Sequence, residues 1–267
     1  MTPSLSFLGA GRMARALIRG LLQAPFIEKE KIFVSSRYGE SAQELAREYQ
    51  VNATSNNEEA IMASPLIFLC TKPAQALEAL SQNATLFKNK LIISIAAGIL
   101  LEDLYDAAGR EARIIRTMPN IAVRIGKGVT TITSHHSATA DDMELTARLF
   151  TTVGKVFKIG EKQTNATTAV SGSGPAFALL FLEALFQGGI QEGLDPSLSR
   201  ALSAHVLASS AALILETEDS PAALRAEIAS PKGTTEAGLN LLEVEQFSNT
   251  IIRAVHAATK RAQELAS

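Results

Sequence analysis

A strand, a glycine turn and a helix stand at the head of the chain, and this order constrains the fold more than any other stretch. Leu5-Ser6-Phe7-Leu8 is a short apolar strand. Gly9-Ala10-Gly11-Arg12-Met13-Ala14 follows at once, and Leu17, Ile18, Leu21 and Leu22 then recur at helical spacing. A helix leaving a strand through so tight a turn packs back on the sheet, and the next strand runs parallel. Gly9 permits the turn, Gly11 lets a pyrophosphate approach the backbone, and Ala14 is small enough for helix against strand. The phosphates would rest on N–H groups at the helix N-terminus. A tight turn without a nucleotide is the competing reading. The place of the glycines, directly after a strand and near the start of the chain, favours the nucleotide.

The alternation continues to residue 160. The second strand, residues 32–34, ends Ser35-Ser36-Arg37. Enzymes that prefer NAD usually end this strand on an acid that binds the ribose 2′-hydroxyl. Here two hydroxyls and a guanidinium could hold a 2′-phosphate instead, which favours NADPH over NADH; a solvated loop arginine is the plainer alternative. Residues 66–69 read as a buried parallel strand ending Cys70-Thr71-Lys72-Pro73, with Lys72 expected near the nicotinamide ribose. Residues 91–95 form the next strand, with the small exit Ala96-Ala97-Gly98. Further strands fall at 113–117, 129–133 and 155–159, and helices at 41–49, 58–63, 101–108 and 140–152. The pattern is α/β, a doubly wound sheet over residues 1–160.

From residue 161 to 267 only helical spacing remains. A short piece at 164–170 is broken by an expected turn, Ser171-Gly172-Ser173-Gly174-Pro175, before an apolar helix at 176–190. More helices follow at 199–215, 221–229 and 244–265. A helix apolar on several faces must be buried. So short a region satisfies this best by packing on a second copy, as an intertwined dimer. Within it lies Ser230-Pro231-Lys232-Gly233-Thr234-Thr235-Glu236-Ala237-Gly238-Leu239, a loop feeding a helix. Its turn would aim free N–H groups at one point, suited to a small carboxylate, with two threonine hydroxyls beside them. An ordinary threonine-capped helix start is the competing reading.

Composition removes other classes. Net charge is -2 with no long basic block, which argues against nucleic acid or an anionic membrane as the main partner. The apolar run at 91–101 is too short to span a bilayer, and the N-terminus lacks the pattern of a signal peptide. The single cysteine, Cys70, excludes an internal disulfide framework and fits a reducing, cytoplasmic compartment. His135, His136, His205 and His256 lack metal-ligand spacing, so no metal is expected.

Taken together, five motifs resemble the pyrroline-5-carboxylate reductase family over essentially the full length. They are Gly9-Ala10-Gly11-Arg12-Met13, Thr71-Lys72-Pro73, Met118-Pro119-Asn120, Ser171-Gly172-Ser173-Gly174-Pro175-Ala176 and Ser230-Pro231-Lys232-Gly233-Thr234-Thr235. The resemblance implies an N-terminal Rossmann domain and a C-terminal helical dimerisation domain, with dimers joining into a decamer in many members. It implies reduction of the ring C=N of L-1-pyrroline-5-carboxylate to L-proline with NAD(P)H. Cofactor contacts would fall on Leu8, Gly9, Ala10, Gly11, Arg12, Met13, Ser36, Arg37, Asn57, Cys70, Thr71, Lys72, Pro73, Ile95, Ala96 and Ala97. Substrate contacts would fall on Ser230, Gly233, Thr234 and Thr235, with Glu161 and Ser171, Gly172, Ser173, Gly174 and Pro175 in the same pocket. Lys232 stands where glycine is commonest in the family. Phe177, Gln187 and the pair Thr164-Asn165 also depart from its pattern, which bears on substrate range and pocket polarity.

The chemistry agrees with that resemblance. A protonated cyclic imine is already a good hydride acceptor. It needs an aligned hydride, a held carboxylate and one donor at the ring nitrogen. Positioning supplies roughly 7–11 kcal/mol, against about 10²–10⁴-fold from one general acid. The expectation is that the N–H groups of Gly233, Thr234 and Thr235 hold the carboxylate, and that the Thr235 hydroxyl bonds the ring nitrogen. Three rivals stay open: a reductase of another cyclic imine, a β-hydroxyacid dehydrogenase and a non-enzymatic NADPH-sensing dimer. The second usually carries a catalytic lysine after the Rossmann domain, and no lysine lies between Lys162 and Lys232.

Overall fold

The computed structural model describes residues 3–266. The strands are β1 (Leu5–Leu8), β2 (Ile32–Ser35), β3 (Asn52–Thr54), β4 (Leu66–Leu69), β5 (Leu91–Ser94), β6 (Arg113–Pro119), β7 (Gly128–Ser134) and β8 (Gly154–Lys158). They form one sheet in the order β3-β2-β1-β4-β5-β6-β7-β8. All neighbours are parallel except β6 and β7, which are antiparallel. The helices α1 (Arg12–Leu21), α2 (Glu40–Tyr49), α3 (Asn57–Met62), α4 (Pro73–Ser81), α5 (Leu101–Ala107) and α6 (Ala140–Thr151) are wound around this sheet.

Strand alternation explains how both faces are covered. Leu5, Phe7, Val34 and Phe68 point to one side and pack with Leu17, Ile18, Leu21, Leu45 and Phe150 from α1, α2 and α6. Leu8, Ile67, Leu69, Ile92 and Ile114 point to the other and pack with Ile61, Leu80 and Leu104 from α3, α4 and α5. Phe7 stacks on Phe68 with ring centroids 4.5 Å apart. β3 is an edge strand absent from the sequence reading, because Asn52 and Ala53 are exposed and carry no apolar pattern.

The second half departs from expectation at Ser171–Pro175. No turn breaks the chain there. α7 (Thr164–Thr167), a π-helical segment Thr168–Ser173 and α8 (Gly174–Gln191) form one unbroken helical run. Within it, hydroxyls bond back to carbonyls of the preceding turn. Thr168 Oγ1 donates to the Thr164 carbonyl at 2.8 Å, and Ser171 Oγ donates to that of Thr167 at 2.7 Å. Then come α9 (Pro196–Glu216), α10 (Pro221–Ile228), α11 (Thr234–Val244) and α12 (Phe247–Ala266).

By compactness the chain forms two units. One unit runs to Gly172 and includes the residues from Ala258 on; the other is Ser173–Ala257. Thr164 and Ala169 are buried in the first unit. The end of α12 also belongs there, because the Leu265 carbonyl lies against Gly98. The second unit has its own close approach, where Ser199 Oγ of α9 donates to the Phe186 carbonyl of α8 at 2.7 Å. Two helical runs, Glu161–Gln191 and Pro196–Glu216, are long and apolar enough by length and composition to cross a membrane.

Candidate functional site

The carboxyl ends of β1, β2 and β4 open into a cleft of about 870 Å³ in the first unit. The strand order reverses on either side of β1, which is where open α/β sheets bind ligands. Gly9, Ala10, Gly11, Ser36, Arg37, Asn57, Cys70, Thr71 and Lys72 line it. Gly9 has φ +108°, and a Cβ there would sit 2.7 Å from the Cys70 carbonyl carbon and oxygen, so only glycine lets the first turn lie against β4. At Gly11 a Cβ would meet nothing within 4 Å. Gly11 is the N-cap of α1, and neither a side-chain cap nor an acid occupies the first turn. The free N–H groups and open cradle fit a diphosphate.

On the ribose side the expected residues take different parts. Ser36 and Arg37 line the cleft, and the Arg37 guanidinium lies 5.8 Å from the centroid of the Tyr38 ring. Ser36 Oγ accepts the Ala42 N–H at 3.2 Å, close to the start of α2. Ser35 does not line the cleft. It is fully buried, and its hydroxyl donates to Asn57 Oδ1 at 2.7 Å, orienting the Asn57 side chain instead. Leu8 also faces inward, as part of the hydrophobic core.

At the β4 end, Thr71 Oγ1 is buried with no partner among the described residues, so a donor or acceptor is ready for a bound group. Burial pushes the Cys70 thiol up from its ordinary pKa, which keeps it protonated. Pro73 opens α4, the role proline suits. Ile95 and Ala97 are half-buried at the exit of β5, and Ala96 is buried. Arg12 is exposed and Met13 packs on the core. An uncapped helix end, an open glycine cradle and an orphaned hydroxyl together fit a dinucleotide phosphate cofactor.

Other predicted residues prove to be committed elsewhere. Glu161 Oε1 accepts the Leu101 N–H at 2.9 Å, at the start of α5. Its charge also acts on Arg116, a buried residue whose pKa is lowered by desolvation and held up by Glu161. His135, Glu102 and His136 place donor atoms within 4.8 Å of one another, a grouping the sequence spacing did not reveal. The Ser137 N–H bonds His135 Nδ1 at 3.2 Å. His135 Nε2 lies 3.1 Å from the Glu102 carboxylate, and Nδ1 lies 2.9 Å from the Ser137 hydroxyl, so both ring nitrogens have polar partners.

In the second unit the threonine stretch is a tight turn before α11. The Gly233 N–H bonds the Ser230 carbonyl at 3.0 Å, and the Lys232 N–H bonds Glu236 Oε2 at 2.7 Å. The Gly233 N–H, expected to face a ligand, is thus engaged within the turn. The N-cap is Gly233 itself, with no side-chain cap, so threonine does not cap this helix. Thr234 and Thr235 are its first two residues, and helix geometry leaves their N–H groups without intrahelical partners. Thr235 is half-buried.

Comparison with known proteins matches both halves of the chain. Residues 161–265 match the family model for pyrroline-5-carboxylate reductase dimerisation. Residues 4–98 match that for NADP oxidoreductase, coenzyme F420-dependent. A pyrroline-5-carboxylate reductase of Arabidopsis thaliana is 35% identical over 262 residues, covering 98% of this chain and 95% of that protein. A pyrroline-5-carboxylate reductase structure from Coxiella burnetii superposes with TM-score 0.92 at 29% identity, covering 100% of both chains. The Plasmodium falciparum pyrroline carboxylate reductase, solved with NADP bound, superposes with TM-score 0.90 at 30% identity over 99% of this chain and 98% of that one.

Proposed function

The chain belongs to the pyrroline-5-carboxylate reductase family, and from that premise we propose how its residues divide the reduction of L-1-pyrroline-5-carboxylate to L-proline. NADPH, when bound, supplies the hydride that the ring C=N carbon accepts. The N–H groups at the start of α1 would hold its diphosphate, Arg37 and Ser36 its 2′-phosphate, and Thr71 a polar group near the β4 end. The N–H groups of Thr234 and Thr235 hold the substrate carboxylate, and the helix dipole favours that negative charge. The Thr235 hydroxyl bonds the ring nitrogen. The observation that carries this reading is the uncapped start of α11, with Thr235 half-buried at its second position.

The apolar helices of the second unit support a homo-oligomer, with a dimer as its repeating unit. Assembly of dimers into a decamer and a cytoplasmic location belong to the same reading, the latter resting on the single cysteine, Cys70. Steady-state kinetics with pyrroline-5-carboxylate and each nicotinamide cofactor tests the activity. Turnover is expected with both, and a higher kcat/KM with NADPH. Thr235→Ala should lower kcat/KM by about 10²-fold, the low end for one lost proton donor. Full activity in that variant would remove Thr235 from the reaction. Nucleotide binding without turnover in the wild type would leave a sensor in place of an enzyme.

A further inference from the structure

Asn120 ends the motif Met118-Pro119-Asn120, and neither the cleft nor the threonine turn uses it. Leu8, Leu69, Ser94 and Arg116 pair side by side across the sheet, so Asn120 stands beyond the carboxyl edge. Its side chain is buried and bonded at both Oδ1 and Nδ2. Oδ1 accepts the N–H groups of Ala122 at 3.1 Å and Val129 at 3.2 Å, which fixes the orientation of the amide. Nδ2 donates to the Ser171 carbonyl at 3.1 Å. That carbonyl lies four residues before Pro175. In an α-helix it would take the N–H of residue 175, and proline has none. Nearby, a Cβ on Gly172 would approach Met118 Cε to 3.1 Å, so the π-helical segment also seats on Met118.

We propose that Asn120 is a positioning residue of the reductase, which replaces the N–H missing at Pro175 and holds the π-helical segment against the carboxyl edge of the sheet. This deepens the function proposed above and rests on it. A π-helical segment is a higher-energy form of helix, common at functional sites, and it persists where its spare backbone groups are served. Without the Asn120 donor, the half-buried Ser171 carbonyl loses its one bond from the sheet edge, and the segment relaxes. Reacting groups then lose alignment, which lowers kcat, while the glycine cradle for the dinucleotide is untouched.

Asn120→Asp keeps the Oδ1 acceptor and removes the donor. It should lower kcat about tenfold at saturating NADPH and leave KM for NADPH within about twofold. Pro175→Ala in that background restores an N–H for Ser171 and should recover most of the loss, with Pro175→Ala alone as the reference for the cycle. A kcat loss below about threefold, an equal loss in single and double variants, or a matching rise in KM for NADPH overturns the proposal. If Asn120→Asp gives no folded protein, the same comparison is read in yield and Tm. Recovery by Pro175→Ala then supports the link, and no recovery overturns it. Absence of imine turnover by the wild type would sink the proposed function instead, and the coupling of positions 120 and 175 in Tm would still decide the link.

Discussion

Helix α1 and helix α9 meet the same requirement in opposite ways. α1 buries Ala14, Leu17, Ile18 and Leu21 against the sheet of its own chain. α9 is the longer and more apolar of the two, yet it buries only Ser199 and Ser203. Leu198, Leu202 and Val206, spaced one turn apart, remain 49%, 49% and 51% exposed. The first unit is thus a finished domain within one copy. The second holds its apolar surface on the outside, which a monomer in water does not sustain. The nucleotide half is built by intrachain packing, and the helical half is completed by association.

The harshest way to break that contrast is to charge the stripe on α9. Leu198→Lys with Leu202→Lys removes about 1.5–3 kcal/mol of burial for each of four side chains in a symmetric dimer, and desolvation of the new charges adds to it. Sedimentation should show monomer, and turnover should fall to background. NADPH binding by the first unit should survive. A dimer of unchanged affinity would place the interface on another face.

A second break goes to the finished half. Gly9→Ala forces a Cβ to within 2.7 Å of the Cys70 carbonyl from a backbone at φ +108°. The turn must move, at a cost on the order of 1–3 kcal/mol. NADPH affinity should fall at least about tenfold by fluorescence titration, since 1.4 kcal/mol is a factor of ten. The oligomer should persist. Loss of the dimer would show that the two halves are less independent than their packing.

The same contrast explains what the sequence disclosed. Strand, glycine turn and helix were legible in the first unit because each rests on short-range chemistry: Gly9 for a positive φ, and the continuous apolar runs holding Val34 and Phe68 for buried parallel strands. β3 was hidden because an exposed edge strand of Asn52, Ala53 and Thr54 needs no apolar residue. The π-helical segment was read as a turn because Gly172, Gly174 and Pro175 are turn formers. Helix there depends on a distant amide, Asn120, that spacing does not disclose. Gly233 was assigned a ligand for the same kind of reason. Pro-x-Gly predicts a turn but not which N–H groups the turn consumes, and here Ser230 takes that of Gly233.

Lys232 offers the mildest test, because it lies in the second unit at a position where local backbone chemistry can be separated from association. Its φ of +59° is left-handed, a conformation costing an L-residue roughly 1–2 kcal/mol. Glycine adopts it freely but loses more entropy on folding, about 0.4–1 kcal/mol. Lys232→Gly should therefore stabilise the protein by about 0.8 kcal/mol, the difference between the midpoints of those two ranges. The Lys232 N–H bond to Glu236 is made by the backbone and survives the change. The urea midpoint should rise slightly at constant slope, with kcat/KM within about twofold. A clear destabilisation would mean that the lysine side chain contributes contacts in the assembled oligomer, and a fall in kcat/KM would bring it into the substrate site.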